Sequence, residues 1–264
     1  MREVSPQHNI LYSCAGEVKA GHDHFVHEHS LSFVISGIAE YYTDNGMVSY
    51  PSGSLCLFRR NQLLRILKKP LDGKPFTAIT IFLDQETLKK HSLKFHIKSD
   101  GIYTGEPNVL LDNDAFMKGY FASLMPYFAQ SGKLTPILEQ AKTTEAIELL
   151  LRNPALKSFL FDFSKPHKID LEAYMNSHFS YNVPVAQFAK LTGRSLSSFK
   201  RDFEGIFHTS PEKWMQKRRL EMAYFLISQK RIKPSDVYLE VGFQNLSHFS
   251  RVFKKEFKIN ASAL

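Results

Sequence analysis

The chain has 264 residues, 43% hydrophobic and 23% charged, a globular composition with no apolar run of the ~18 residues that a membrane helix needs. Two cysteines, Cys14 and Cys56, provide no disulfide or zinc framework, and the start MREVSPQHNILYSCAGEV lacks a signal peptide's apolar stretch, so a cytoplasmic location is expected. The net charge of +8 is confined to the last third: residues 182–264 carry 15 Lys+Arg against 7 Asp+Glu, while residues 1–181 carry 19 of each, an asymmetry that favours a polyanionic partner.

The first ~110 residues predict strands. Phe25 to Ile35 alternates, with Phe25, His27, His29, Leu31, Phe33 and Ile35 expected to face a core and Glu28, Ser30 and Ser32 to face water. Tyr41–Thr43, Asp44-Asn45-Gly46 and Met47–Tyr50 predict a hairpin with a tight turn at Asn-Gly. Pro51-Ser52-Gly53 is a further turn, and Leu55–Phe58 and Thr77–Leu83 are further strands. Short strands at this spacing suggest a sandwich or barrel.

The period then lengthens. Phe116, Tyr120, Leu124 and Phe128 form the stripe of an amphipathic helix starting near Asp112. Ile137, Ala141, Ile147, Leu150 and Leu151 outline a second helix after Pro136, and Pro154 to Phe163 a short third. Ser164-Lys165-Pro166-His167 predicts a linker, since Pro166 disfavours helix before it. The domain expectation is 1–110, a barrel; 111–166, helices and linker; and 167–264, an all-helical basic domain.

In that last domain one pattern occurs twice. Leu196-Ser197-Ser198-Phe199-Lys200-Arg201-Asp202-Phe203 recurs fifty residues later as Leu246-Ser247-His248-Phe249-Ser250-Arg251-Val252-Phe253, each copy after a glycine, Gly193 or Gly242, that ends a shorter helix. A helix, a glycine turn and a basic helix, used twice, make DNA the first partner to consider. Ser195 and Asn245 are the expected N-caps, and Ser210-Pro211-Glu212 opens a long joining helix. Leu196, Phe199 and Phe203 form the expected core stripe of the first unit, and Phe249 and Phe253 that of the second. This leaves Ser197, Ser198, Lys200 and Arg201, and in the second copy Ser247, His248, Ser250 and Arg251, exposed for base or phosphate contacts. Arg194, Lys254 and Lys255 are the phosphate candidates.

Gly193 to Phe203, Arg219-Leu220-Glu221-Met222-Ala223 and Val241 to Phe257 together resemble the AraC/XylS family of bacterial transcription regulators over roughly the last hundred residues. The resemblance implies two recognition helices entering successive major grooves of double-stranded DNA, with Leu246 at a base-reading position. It also implies a cupin-like regulatory domain, an activator role, RNA polymerase as a partner, and homodimerisation. The 116–128 stripe then has two uses open to it, covering the barrel or pairing with its copy.

Gly21 followed by His27-Glu28-His29, and Pro51-Ser52-Gly53, fit parts of cupin motifs, but Phe33 or Val34 replaces the expected Glu and Cys56 the third His. No metal or other cofactor is therefore expected. Phe25, His27, His29, Phe33 and Tyr41 instead form a candidate pocket for a small polar effector. Two alternatives stand beside that reading: a regulator whose first domain binds a protein or only dimerises, and a cupin enzyme fused to a DNA-binding tail, which the missing ligands disfavour. The heads differ in their outward residues, so one subunit's site is expected not to be palindromic.

Overall fold

Alternating β-branched and aromatic residues build the first half of the chain, and 3.6-residue periodicity builds the second. The computed structural model describes residues 9–18, 23–43, 46–129, 134–164 and 168–264. They divide into two compact units, one ending at Ser164 and the other starting at Lys168, with residues 23–25 grouped with the second. Of the expected features, the Asp44-Asn45 turn and the 165–167 linker lie outside the described residues.

The part of the chain up to Ser164 holds strands β1 (Ile10–Ala15), β2 (Asp23–Val26), β3 (His29–Ser36), β4 (Ile38–Thr43), β5 (Gly46–Pro51), β6 (Leu55–Phe58), β7 (Gln62–Lys69), β8 (Phe76–Leu83) and β9 (Asn108–Leu111). They form two sheets, ordered β1-β8-β3-β6-β9 and β2-β7-β4-β5. The β4–β5 hairpin is antiparallel with Thr43 opposite Gly46, as its sequence predicts. The architecture is thus an antiparallel-sheet domain followed by a helical one, with two separate sheets where a barrel was expected.

Helix α1 (Gln85–Phe95) interrupts the strand series. Its signals are local: Asp84 caps it by accepting the Thr87 N–H at 2.8 Å and the Thr87 hydroxyl at 2.6 Å, and Leu88 and His91 are buried. Helices α2 (Ala115–Ala129), α3 (Pro136–Leu151) and α4 (Leu156–Phe161) complete the unit.

The predicted single strand from Phe25 to Ile35 is two strands in different sheets. His27 lies exposed in the break, and Ser30 and Ser32, expected in water, are buried. The reason is that β3 has cover on both faces. Leu31, with Phe33 and Ile35 at its side, packs into a core shared with Tyr120, Phe121 and Leu124 of α2 and Ile147 of α3. Val34 joins Ala39, Tyr41, Tyr50, Cys56, Phe58 and Ala78 between the sheets. Ser32 pairs its hydroxyl with Thr80 at 3.1 Å, so its burial leaves no orphan.

The stripe on α2 is corrected in phase. Phe116 is 60% exposed, with the Arg152 guanidinium 3.9 Å above its ring. Met117, Tyr120, Phe121 and Leu124 are the buried residues. An exact four-residue spacing drifts around a 3.6-residue helix, so Phe116 falls off the face that Tyr120 and Leu124 share. This face covers the sheet. On α3, Thr135 caps the helix through the Leu138 N–H at 3.3 Å. Glu139 is buried and accepts the Ile10 N–H at 3.0 Å and that of Asn9, tying β1 to the helix layer. Ile137, assigned to the apolar stripe, is exposed.

The second unit comprises α5 (Leu171–His178), α6 (Val185–Leu191), α7 (Leu196–Phe207), α8 (Pro211–Lys230), α9 (Pro234–Glu240), α10 (Leu246–Phe257) and a 3-10 turn at Ala261–Ala263. The repeat survives in geometry: α6 and α9 have seven residues each, and α7 and α10 twelve. Both turns use a left-handed glycine, Gly193 at φ 68° and Gly242 at φ 93°. Both second helices end on a left-handed cap, His208 and Lys258.

Arg219 of α8 joins the two copies. Its Nε donates to the Phe179 carbonyl at 2.8 Å, Nη2 to Tyr181 at 2.9 Å and Nη1 to Gly242 at 3.2 Å. A Cβ on Gly242 would sit 2.1 Å from the Ser180 carbonyl oxygen, so the second turn closes only on a glycine. Arg219→Met should destabilise the chain by about 3 kcal/mol, because three carbonyls lose a charged donor at once. Urea denaturation followed by circular dichroism measures this, with Arg251→Ala as an exposed control expected to stay within about 0.5 kcal/mol of the parent.

Candidate nucleic-acid interface

In α7 and α10 a ladder of phenylalanines fixes which side chains face out. Phe199, Phe203 and Phe207 stack at 5.7 and 4.4 Å between successive ring centres. Phe249, Phe253 and Phe257 repeat the pattern at 5.4 and 4.8 Å. Trp214 of α8 closes on the first ladder, 4.5 Å from Phe207, and Tyr224 on the second, 4.8 Å from Phe257. With residues i and i+4 turned inward, the i−2, i+1 and i+2 positions must point away.

Ser197, Lys200 and Arg201 are exposed on α7, and Ser247, Ser250, Arg251 and Lys254 on α10. The next outward position on α7 is Glu204, against Lys254 on α10, so the second helix carries its positive charge further along. The caps are those the sequence predicts. Ser195 Oγ accepts the Ser198 N–H at 3.2 Å, and Asn245 Oδ1 accepts the His248 N–H at 2.9 Å.

The starts of the two reading helices border one concavity. A cleft of about 750 Å³ is lined by Leu196 and Lys200 from α7, by Asn245 and His248 at the start of α10, and by Met215 and Gln216 of α8. Residues of the joining helix thus line the same cleft as the starts of both reading helices.

Two expectations fail here. Leu196, placed in the core stripe, is 43% exposed at the first position of α7 and lines the cleft. It lies one turn before the layer that Phe199 and Phe203 fill. Leu246 repeats this position and is equally open.

Arg194, placed on a phosphate, is turned inward, with its side chain only 8% exposed. Its Nε donates to Asp202 at 3.1 Å, and its Nη1 to the Ile169 and Thr192 carbonyls at 2.9 and 2.8 Å. The left-handed Gly193 precedes it, and Asp202 receives its guanidinium. Asp202 is held below the ordinary carboxylate range first by this Arg194 hydrogen bond and further by Lys168 and Arg201. Neither this partnership nor the Arg219 junction is legible in the sequence, since their partners lie more than one helical turn away in the chain.

The proposed effector pocket is not assembled. Phe33 packs 4.9 Å from Phe121 of α2, whereas Tyr41 stacks 4.6 Å from Phe58 between the sheets, on the opposite side of β3's sheet. Phe25 is half-buried on β2 and His27 is exposed. His29 is fully buried beside Phe159, 5.1 Å between rings. Its Nδ1 accepts the Arg60 N–H at 3.3 Å, and its Nε2 has no hydrogen-bond partner among the described residues. Cys56, at the position of a third cupin histidine, is buried between the sheets, and burial pushes its thiol up to about 12. Among the described residues no group of three or more His, Cys, Asp or Glu could hold a metal.

Residues 188–264 match the model of a helix-turn-helix domain, and residues 29–163, just over half the chain, match that of the ExsA N-terminal regulatory domain. The chain belongs to the AraC/XylS family of transcription regulators. The regulator ExsA of Pseudomonas aeruginosa is 27% identical over 125 residues, covering 46% of this chain and 45% of that protein. The virulence regulon activator VirF of Yersinia enterocolitica is 26% identical over 87 residues, 33% of this chain and 32% of that protein. The activator RhaS of Escherichia coli is 27% identical over 109 residues, 41% and 39%. The matched stretch thus spans less than half of each of these relatives, which are regulators and not enzymes. Among solved structures, an apo variant of ToxT from Vibrio cholerae aligns with a TM-score of 0.48 at 14% identity, over 99% of this chain and 98% of that one. No helix of the described residues is long and apolar enough to cross a membrane.

Two outcomes follow from these placements. Arg194→Ala should lower the melting temperature by several degrees, the cost of about 1–2 kcal/mol of charged hydrogen bonds, and leave the salt dependence of DNA binding unchanged. Thermal melts and a salt titration check it. Burial, then the Arg60 and Arg59 charges, lower His29 from 6.5 to about 3. The unfolded chain therefore binds a proton below pH 6.5 that the folded chain refuses, and stability falls as pH drops through that window. His29→Asn should remove about 2 kcal/mol of the stability lost between pH 7 and pH 5, measured by urea denaturation at both values.

Proposed function

We propose that the chain is a sequence-specific DNA-binding transcription regulator whose two reading helices enter successive major grooves on one face of double-stranded DNA. The observation that carries this reading is that the starts of α7 and α10 border one cleft, with Lys200 and His248 both lining it. The net charge of +8 supports it, since all of the excess lies in residues 182–264. In the first head Ser197, Lys200 and Arg201 read bases, with Ser198 beside them. In the second, Leu246, Ser247, Ser250 and Arg251 do so, with His248 and Lys254 on phosphates. The role is that of an activator working with RNA polymerase in the cytoplasm, as a homodimer.

Control is exerted through the first unit. A small molecule in its interior is the less favoured route, because the space between the sheets is filled by Tyr41, Tyr50, Phe58 and Phe76. A protein partner or self-association suits a packed interior better. A thermal-shift screen separates the routes, because a tightly bound small molecule raises the melting temperature and a packed interior gives no hit.

Enrichment of duplexes from a random-sequence library by the full chain tests the main reading. One enriched, non-palindromic sequence of two half-sites about one helical turn apart is expected. Arg201→Ala and Arg251→Ala should each weaken binding to it by about 5- to 100-fold, at opposite halves, with no loss of fold. Equal binding by both variants and the parent at physiological salt would overturn it.

A further inference from the structure

The two heads share their capping, their glycine turns and their phenylalanine ladders, but they differ in one contact network. Asp202 lies on α7 between the outward stripe and the core. Its Oδ2 accepts Arg194 Nε at 3.1 Å and Lys168 Nζ at 3.3 Å, and its Oδ1 accepts Arg201 Nη2 at 3.3 Å. Arg194 extends the network to the Ile169 and Thr192 carbonyls. Three pieces of chain thus meet on one carboxylate: residues 168–169 ahead of α5, the turn at 192–194, and the reading helix itself.

The repeat makes the comparison internal. Fifty residues on, Val252 stands in place of Asp202 and Gln244 in place of Arg194. Val252 packs at the edge of the apolar cluster that holds Phe249 and Phe253. At this position the second reading helix therefore offers no acid to receive Arg251.

The contact with Arg201 is also unusual in its geometry. Adjacent residues on a helix do not face each other, so Arg201 turns sideways to reach Asp202. Its side chain remains 78% exposed, open to a base edge while its guanidinium is restrained. A bidentate contact to guanine demands a fixed plane, and a long side chain loses several rotamers to achieve it. A restraint in the free protein lowers that cost.

We propose that Asp202 is the positioning residue of the first head, orienting the Arg201 guanidinium for base reading and fastening α7 to the segment 168–169, with no counterpart in the second head. This rests on the DNA-reading function above. Discrimination by the first head then depends on Asp202, and discrimination by the second does not.

The test uses the full chain and the duplex enriched by the parent protein. Every position of that duplex is substituted in turn, and binding is measured for the parent, Arg201→Ala, Asp202→Asn, Asp202→Glu and Lys168→Ala. The positions that cease to matter in Arg201→Ala define the half read by the first head. Asp202→Asn should reduce discrimination at those positions by about tenfold and leave the other half unchanged. Asp202→Glu, which keeps the charge, should restore most of it. Lys168→Ala, which removes an exposed arm and does not threaten the fold, should produce a smaller loss confined to the same half. Unchanged discrimination in Asp202→Asn, or an equal loss in both halves, would overturn the proposal, the second outcome being that of a general loss of fold. Failure of the parent to enrich any sequence would overturn the DNA-reading function and this proposal with it.

Discussion

The helical unit depends on a single guanidinium. Arg219 occupies the middle of α8 and satisfies carbonyls from the α5–α6 connection and from the turn of the second head. Helix ends and turns leave backbone acceptors that must find a donor when buried. One planar side chain supplies three donors in a fixed fork, which a lysine cannot do. The same contact explains the glycine at 242, since Arg219 and the Ser180 carbonyl leave no room for a Cβ. The relative placement of the two heads is thus set by backbone acceptors converging on one side chain, and the long helix holds the spacing.

The first unit solves a different problem. A β-sheet with one apolar face needs one partner layer, but β3's sheet is apolar on both faces and has two. Helices α2 and α3 cover one side and the second sheet covers the other. This arrangement fills the space that a ligand-binding barrel would keep open. It also places His29 where neither nitrogen meets water, so its charge is suppressed and its role is packing beside Phe159.

Between the heads, similarity and difference have separate causes. Phenylalanine spacing and capping are common to both, and they fix the inward face. The outward residues and the Asp202 network are not shared. A duplicated unit can keep its fold while each copy acquires its own contacts, because folding uses one stripe of the helix and recognition uses the other.

The elements whose signals are local are legible in the sequence. The caps Ser195 and Asn245, the two turn glycines and the outward positions of α7 and α10 could all be read from it, because each depends on residues within about four of one another, and the copy at an offset of fifty is legible by direct comparison. Helix α1 is equally local in its signals, Asp84 with Thr87 and Leu88, but its strand neighbours on both sides mask them. What depends on distant partners is set by folding. Alternation along Phe25–Ile35 cannot reveal a break into two sheets, or that a second layer covers the even face. The phase of the α2 stripe was settled by the sheet beneath it, and the direction of Arg194 by an acid eight residues on and a carbonyl twenty-five residues back. A positive charge in a sequence carries no mark of whether it faces a phosphate or an internal carboxylate; that is decided by which acceptors folding brings within about 3 Å of it.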